Sequence, residues 1–162
     1  MIDNSDLPTD ASASYAGHVV GNVSTNIGSN GWQTYVATGD MDMNWDFNSR
    51  SGDLTISKFD RSITPGGLTF TGEMSAPGEV ATGKNKFGGP LTLANDNLPE
   101  NLSDLNGMTG SANGSFVRGP DNFKNNGEIK SGSTPQGVIG NWNVGSGRYN
   151  ATGIFAGSIK DN

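Results

Sequence analysis

The chain contains no cysteine, so disulfide cross-links, thiolate chemistry and Cys-ligated zinc are excluded. Basic residues are few. Ten Lys and Arg stand against sixteen Asp and Glu, for a formal charge of −6 and a pI near 4.5. They are scattered rather than clustered, which argues against a nucleic-acid interface and against attraction to an anionic membrane surface. No apolar run approaches the roughly 20 residues of a membrane helix. Leu, Glu and Lys, the staple residues of helical proteins, are sparse, and only 32% of the residues are hydrophobic.

What is abundant is Gly (25 of 162 residues), together with Asn, Ser and Thr. Gly, Asn and Ser supply turns and bulges, and Thr suits a half-buried pleated surface. The composition therefore points to one all-β domain with a lean core. The opening "MIDNSDLPTDASAS" has neither the charged nor the apolar region of a signal peptide. We expect residues 1–13 to be a polar linker and residues 14–162 to be the domain, excised from a larger protein.

About eight period-2 segments, separated by turn signals, follow one another. The first, "SYAGHVVGNVS" (14–24), places Tyr15, Gly17, Val19, Gly21 and Val23 on one side. Further strands are expected near 34–47, 53–59, 68–74, 86–94, 108–119, 136–144 and 148–160. Pro90 in the fifth predicts an edge position, a bulge or the end of a short strand. The one helical signal is "LPENLSDLNG" (98–107), with Leu98, Leu102 and Leu105 on a face and Gly107 to stop it, read as a cap on one end of the sheet.

Sequential strands without crossover helices make an antiparallel meander. Glycines at inward positions beside large residues suit a small barrel that must bend and fill a tapering interior. Closure also removes exposed edges. A two-sheet sandwich is the rival. An outer-membrane barrel of this size would need a broad outward apolar band with aromatic girdles. Only one face here is apolar, so a soluble, roughly eight-stranded barrel is expected, monomeric as an isolated domain.

The stretch "TGDMDMNWDFNSR" (38–50) resembles the opening of a calcium loop when only Asp40, Asp42 and Asp46 are read. Numbered from Asp40, however, the position that needs Gly is Trp45 and the one that needs Glu is Ser51. Met41, Met43, Trp45 and Phe47 alternate with the acids, which predicts a strand with one wet and one dry face. In a strand those acids stand about 7 Å apart per two-residue step, too far to share an ion. His18 is the only histidine and is read as an ordinary strand residue. Asp60, Glu73, Glu79 and Glu128 fall at turns or strand ends, and nothing pairs two of them as glycoside chemistry requires. "GPLTLAND" and "GSGRYNATG" match no phosphate loop. No enzyme, metal or cofactor is expected. Trp32, Arg61, Arg118 and Phe123 are bulky residues in or beside turns. They are the candidate contact residues for a protein partner, unless each folds back as a plug over the barrel mouth.

The second half adds a resemblance. "GSFVRGP" (114–120), "GVIGNWNV" (137–144) and "ATGIFAGS" (151–158) are similar to the closing strands of the β-barrel domains of transferrin-binding protein B-like surface proteins, mainly over residues 107–160. In that group a Gly-x-Phe…Gly-Pro step precedes a Gly-rich strand and a final G-x-F-x-G strand. The group's acidic passage after Gly-Pro is replaced here by "GPDNFKNNGEIKSGSTPQG", and neither a lipobox Cys nor a handle domain is present in this chain. The resemblance implies a barrel in a lipid-anchored or secreted bacterial protein, non-catalytic, binding host proteins or haem-related ligands through loops and accessory domains. It leaves the partner open.

The expectation is thus a binding module of a larger bacterial surface or secreted protein, extracellular, at the cell surface or periplasmic. It would meet a protein partner, neither nucleic acid nor membrane, through its loops. A ligand-free spacer, a lipocalin-like carrier with an internal void, and a protease-inhibitor barrel presenting one rigid loop or terminal arm are the alternatives.

Overall fold

In a computed structural model, which describes residues 7–27, 31–76, 85–94 and 98–160, eight antiparallel strands form a closed meander barrel. They are β1 (Ser12–Thr25), β2 (Gln33–Asp46), β3 (Ser51–Phe59), β4 (Leu68–Ser75), β5 (Lys86–Leu93), β6 (Thr109–Val117), β7 (Gly137–Gly145) and β8 (Tyr149–Ile159). Each strand pairs with its sequence neighbours, and β8 pairs with β1 to close the wall. The sandwich alternative is thereby excluded. The loop after β4, at 77–84, lies outside the described residues.

The alternation read from the sequence decides what lies inside. On β1, Tyr15, Val19 and Val23 are buried, and on β2 Met41, Met43 and Trp45. Burying side chains of this size stabilises by about 1.5–3 kcal/mol each. The interior is filled by rings: Trp45 packs against Phe87 and Phe116 towards one end, and Trp142 against Phe59 and Phe70 towards the other. Inward glycines make room for them. A methyl group on Gly140 would collide with the Phe155 ring and the Asn113 carbonyl, and one on Gly114 with the Phe87 ring. Gly114 and Gly140 are therefore seats for aromatic side chains on adjacent strands, whereas a methyl group on Gly17, Gly72 or Gly153 would meet a backbone carbonyl of the neighbouring strand.

Two local irregularities matter. The β3–β4 register slips by one residue between Ile56 and Phe59, a bulge with Lys58 in the left-handed region at φ 55°. It turns Lys58 outward, keeps Phe59 inside and delivers Asp60, also left-handed at φ 56°, to the barrel end. Pro90 is neither at an edge nor at a strand end, because the closed wall has no edge. It sits within β5 opposite Ser111, and the β4–β5 ladder lapses between its pairs Thr71–Thr92 and Ser75–Gly88, so the missing N–H falls where no bond is made.

Both ends are closed by the chain itself. The β5–β6 connection carries a short 3-10 helix (Glu100–Leu105) that buries Leu102 and Leu105, as its leucine spacing predicted. Arg148, in the β7–β8 hairpin, grips it through the Asp104 carboxylate and the Asn101 carbonyl. At the other end the β6–β7 excursion is a built structure rather than a slack polar loop. Asn122 is buried, accepts from the backbone N–H groups of Gly119 and Gln136, and donates to Ser133 Oγ and the Thr134 carbonyl. Tyr15 donates its hydroxyl from inside the barrel to the Pro135 carbonyl at 2.8 Å.

Candidate functional site

The end of the barrel that holds the β1–β2 and β3–β4 turns is organised by one carboxylate. Asp60 is 3% exposed. Tyr35 donates to its Oδ2 at 2.6 Å and Tyr149 to the same oxygen at 2.8 Å, while the Ser62 hydroxyl donates to Oδ1. A second Ser62 contact reaches the Tyr35 oxygen at 3.3 Å. Burial, reinforced by the Asp60 charge and its hydrogen bonds, pushes the Tyr35 phenol up to about 12 and the Tyr149 phenol well above its ordinary value. Both phenols therefore stay neutral and serve as donors. All three hydroxyls point at one carboxylate, so the cluster closes the barrel end and orders the β3–β4 turn.

Beside this knot a groove of about 810 Å³ opens on the outer wall, between strands β1, β2 and β8 and the turn that follows the β3 bulge. Its lining includes Val20, Val36 and Ile154, with Lys58, Arg61 and Asp40 along its margin. Val20 lies directly opposite Ile154 across the β1–β8 ladder, and Val36 is its diagonal neighbour on β2. All three face water, at 37%, 64% and 58% exposure. Such a contiguous apolar strip on a mostly polar outer wall is a feature the fold itself does not require.

The four residues singled out from the sequence fall at opposite ends. Trp32, 55% exposed, precedes β2, and the exposed Arg61 follows β3, both at the Asp60 end. The half-buried Arg118 and the 38% exposed Phe123 belong to the β6–β7 excursion at the other end, where Phe123 bridges to Ile129. The outward aliphatics Val20, Val36 and Ile154 were missed. Their signal was in the sequence, as large apolar residues on the wet phase of an alternating strand.

The acids of β2 stand on the outer wall with partners of their own. Asp40 faces His18 at 3.4 Å and Lys58 at 3.5 Å, Asp42 faces Lys160 at 2.8 Å, and Asp46 accepts from the Asn48 backbone. Among the described residues no group of three or more His, Asp or Glu is placed to hold a metal ion.

No protein-family model and no curated protein sequence matches the chain. Solved structures do. The vaccine antigen transferrin binding protein B (TbpB) of Haemophilus parasuis superposes with a TM-score of 0.61 at 15% identity, over 99% of this chain and 29% of that one. Intact Ap-TbpB, with its N and C lobes, gives 0.58 at 13% identity over 97% and 28%. TbpB of serogroup B Neisseria meningitidis gives 0.57 at 15% over 98% and 26%. The fold is a TbpB-like β-barrel. The likeness extends across nearly the whole chain, well beyond the closing strands whose motifs suggested it. At these identities it is a likeness of fold, and the chain spans less than a third of the length of those TbpB chains.

Proposed function

We propose that this chain is a non-catalytic binding module of a larger bacterial surface or secreted protein, and that it meets a protein partner at the Asp60 end. The contact takes in Trp32, Arg61 and the adjoining groove. The observation that carries this reading is the strip of Val20, Val36 and Ile154 exposed beside Trp32 and Arg61. Aliphatic area left in water is worth about 25 cal/mol per Å² when covered, and Trp and Arg are the residues that most often anchor a protein contact. The Asp60 knot supports the same reading, because a turn held by three hydroxyl bonds loses little entropy on binding.

The rival readings find less support. A carrier needs an interior void, and this interior is occupied by Trp, Phe and Tyr rings. A spacer would show polar, featureless ends. Arg118 and Phe123 lie at the opposite end of the barrel, and we assign the contact to the Trp32 and Arg61 pair.

The test is a photo-crosslinking amino acid placed at Val36 and, as a control, at Thr71 on β4, in the native cells. The expected result is a discrete adduct from Val36 that disappears when Ile154→Asp is added, with none from Thr71. Equal labelling from both positions, or none from either, overturns the proposal.

A further inference from the structure

Strands β6, β7 and β8 contain no charged residue at all, in a chain of which 16% is charged. Their outward positions face water nevertheless. Thr109, Asn113, Asn141, Asn143, Asn150 and Thr152 are exposed. The register sets them in rows: Ser111 lies beside Asn143, Asn143 beside Thr152, and Thr152 beside Asn22 of β1. In the next row Asn113 lies beside Asn141 and Asn141 beside Ile154. Neighbouring side chains are about 5 Å apart across strands and about 7 Å along them. A shallow depression of about 830 Å³ runs over Asn22, Thr109, Asn141, Asn143, Asn150 and Thr152 and shares Ile154 with the groove at the Asp60 end, while a neighbouring depression takes in Asn113, Ile139 and Lys86 of β5.

The chemistry of the panel is specific. A primary amide offers two donors and one acceptor oxygen. Asn143 donates to Ser111 Oγ at 3.1 Å, and among the described residues the side chains of Asn22, Asn141 and Asn150 make no hydrogen bond within the chain. Neutral amides and hydroxyls are far cheaper to strip of water than carboxylates or ammonium groups. Ile139 and Ile154, 50% and 58% exposed, add aliphatic area between the amides. A ligand that matches this wall must be uncharged, dense in hydroxyl groups that both donate and accept, and apolar on its C–H faces. The strands β6–β8 offer charged chains no counter-charge, Lys86 of β5 standing only at the Asn113 margin, and a lipid surface would strand the amides without partners. Because the closed wall offers no free strand edge, recognition rests on side chains alone.

We propose that the outer wall of β6–β8, completed by Asn22, binds a neutral polysaccharide lying across the strands. This site adjoins the protein contact at the Asp60 end and shares Ile154 with it, but rests on its own residues, Asn22, Asn141, Asn143 and Asn150. Affinity gel electrophoresis against dextran, mannan and xylan, with polygalacturonate as the charged control, tests it directly. Side-chain amide NMR resonances locate the contact.

The expected result is retardation by at least one neutral polysaccharide, with shifts confined to Asn22, Asn141, Asn143 and Asn150. Asn143→Asp should weaken it about tenfold, the effect of one lost hydrogen bond. Asn141→Ala should do the same without adding charge, while Thr71→Asp on β4 leaves it unchanged. No retardation by any neutral polysaccharide, retardation by polygalacturonate alone, or shifts on β2–β4 instead would overturn the proposal. Shifts of these amides with protein concentration alone would also overturn it, by showing that a protein surface covers the wall.

Discussion

Strands β2 and β7 are built to the same inner plan and have opposite outer faces. Inside, each carries a buried tryptophan at the centre of an aromatic cluster, Trp45 and Trp142. Outside, β2 carries Asp40, Asp42 and Asp46, each already engaged within the chain, whereas β7 carries Ile139, Asn141 and Asn143. The inner face is dictated by the need to fill a closed barrel. The outer face is free to vary, so its differences report on what touches it. The acids of β2 keep the wall solvated and repel other acidic surfaces that approach its face. The neutral wall of β6–β8 lacks that protection, a cost that makes sense where a ligand covers it.

The largest effects should come from the shared inner plan. Trp45→Ala and Trp142→Ala are each expected to cost about 3–5 kcal/mol in urea unfolding. Values differing by more than the spread of a single variant would break the equivalence of the two inner faces. Gly140→Ala, which places a methyl group in the Phe155 ring, should cost about 1–3 kcal/mol despite adding apolar volume. A neutral or stabilising result would show that the glycine is not a seat for the ring.

Asp60→Ala leaves the hydroxyls of Tyr35, Tyr149 and Ser62 without their acceptor. An expected loss of about 1–3 kcal/mol, with faster amide exchange confined to the 60–67 turn, would identify the knot as the device that orders this end.

The tyrosines give a pH signature. The Tyr35 phenol is raised from 10.0 to about 12 in the folded chain, and those of Tyr15 and Tyr149 are raised by burial as well. A raised folded value means that the stabilisation is complete below pH 10 and is lost as the pH climbs through 12. Unfolding midpoints measured across that window should fall, and Tyr35→Phe should flatten part of the fall.

The smallest effects belong to the outer faces. Asp42→Asn on β2 and Asn143→Asp on β7 should each change stability by no more than about 0.5 kcal/mol. A large change in either would mean that the outer face is part of the framework after all.

The strands, their inward sets and the capping leucines were legible because a period of two, or a helical leucine spacing, is written into neighbouring residues. The stretch at 38–50 is the clearest case, since Met41, Met43 and Trp45 fix both the strand and its orientation. The Asp60 cluster was not legible. Tyr35 and Tyr149 stand 25 and 89 residues away from it, and only closure of the barrel brings them together. The bulge left a faint trace, the odd spacing between Ile56 and Phe59. Of the settings Pro90 implied, the edge fails for a topological reason, because a closed wall has none, and the irregularity it announced is the lapse of the β4–β5 ladder between Thr71–Thr92 and Ser75–Gly88. For Trp32, Arg61, Arg118 and Phe123 residue type singled out exposed or half-exposed side chains, but local sequence cannot say which end of a barrel a turn occupies.

The central claim is that this barrel works through its outside, at the Asp60 end. The most direct measurement is hydroxyl-radical footprinting of the chain alone and among the proteins of its native surroundings. The account predicts protection of Trp32, Val36 and Ile154 with Phe123 unchanged. Protection of Phe123 with Trp32 and Val36 unchanged, or no protection anywhere, would contradict it.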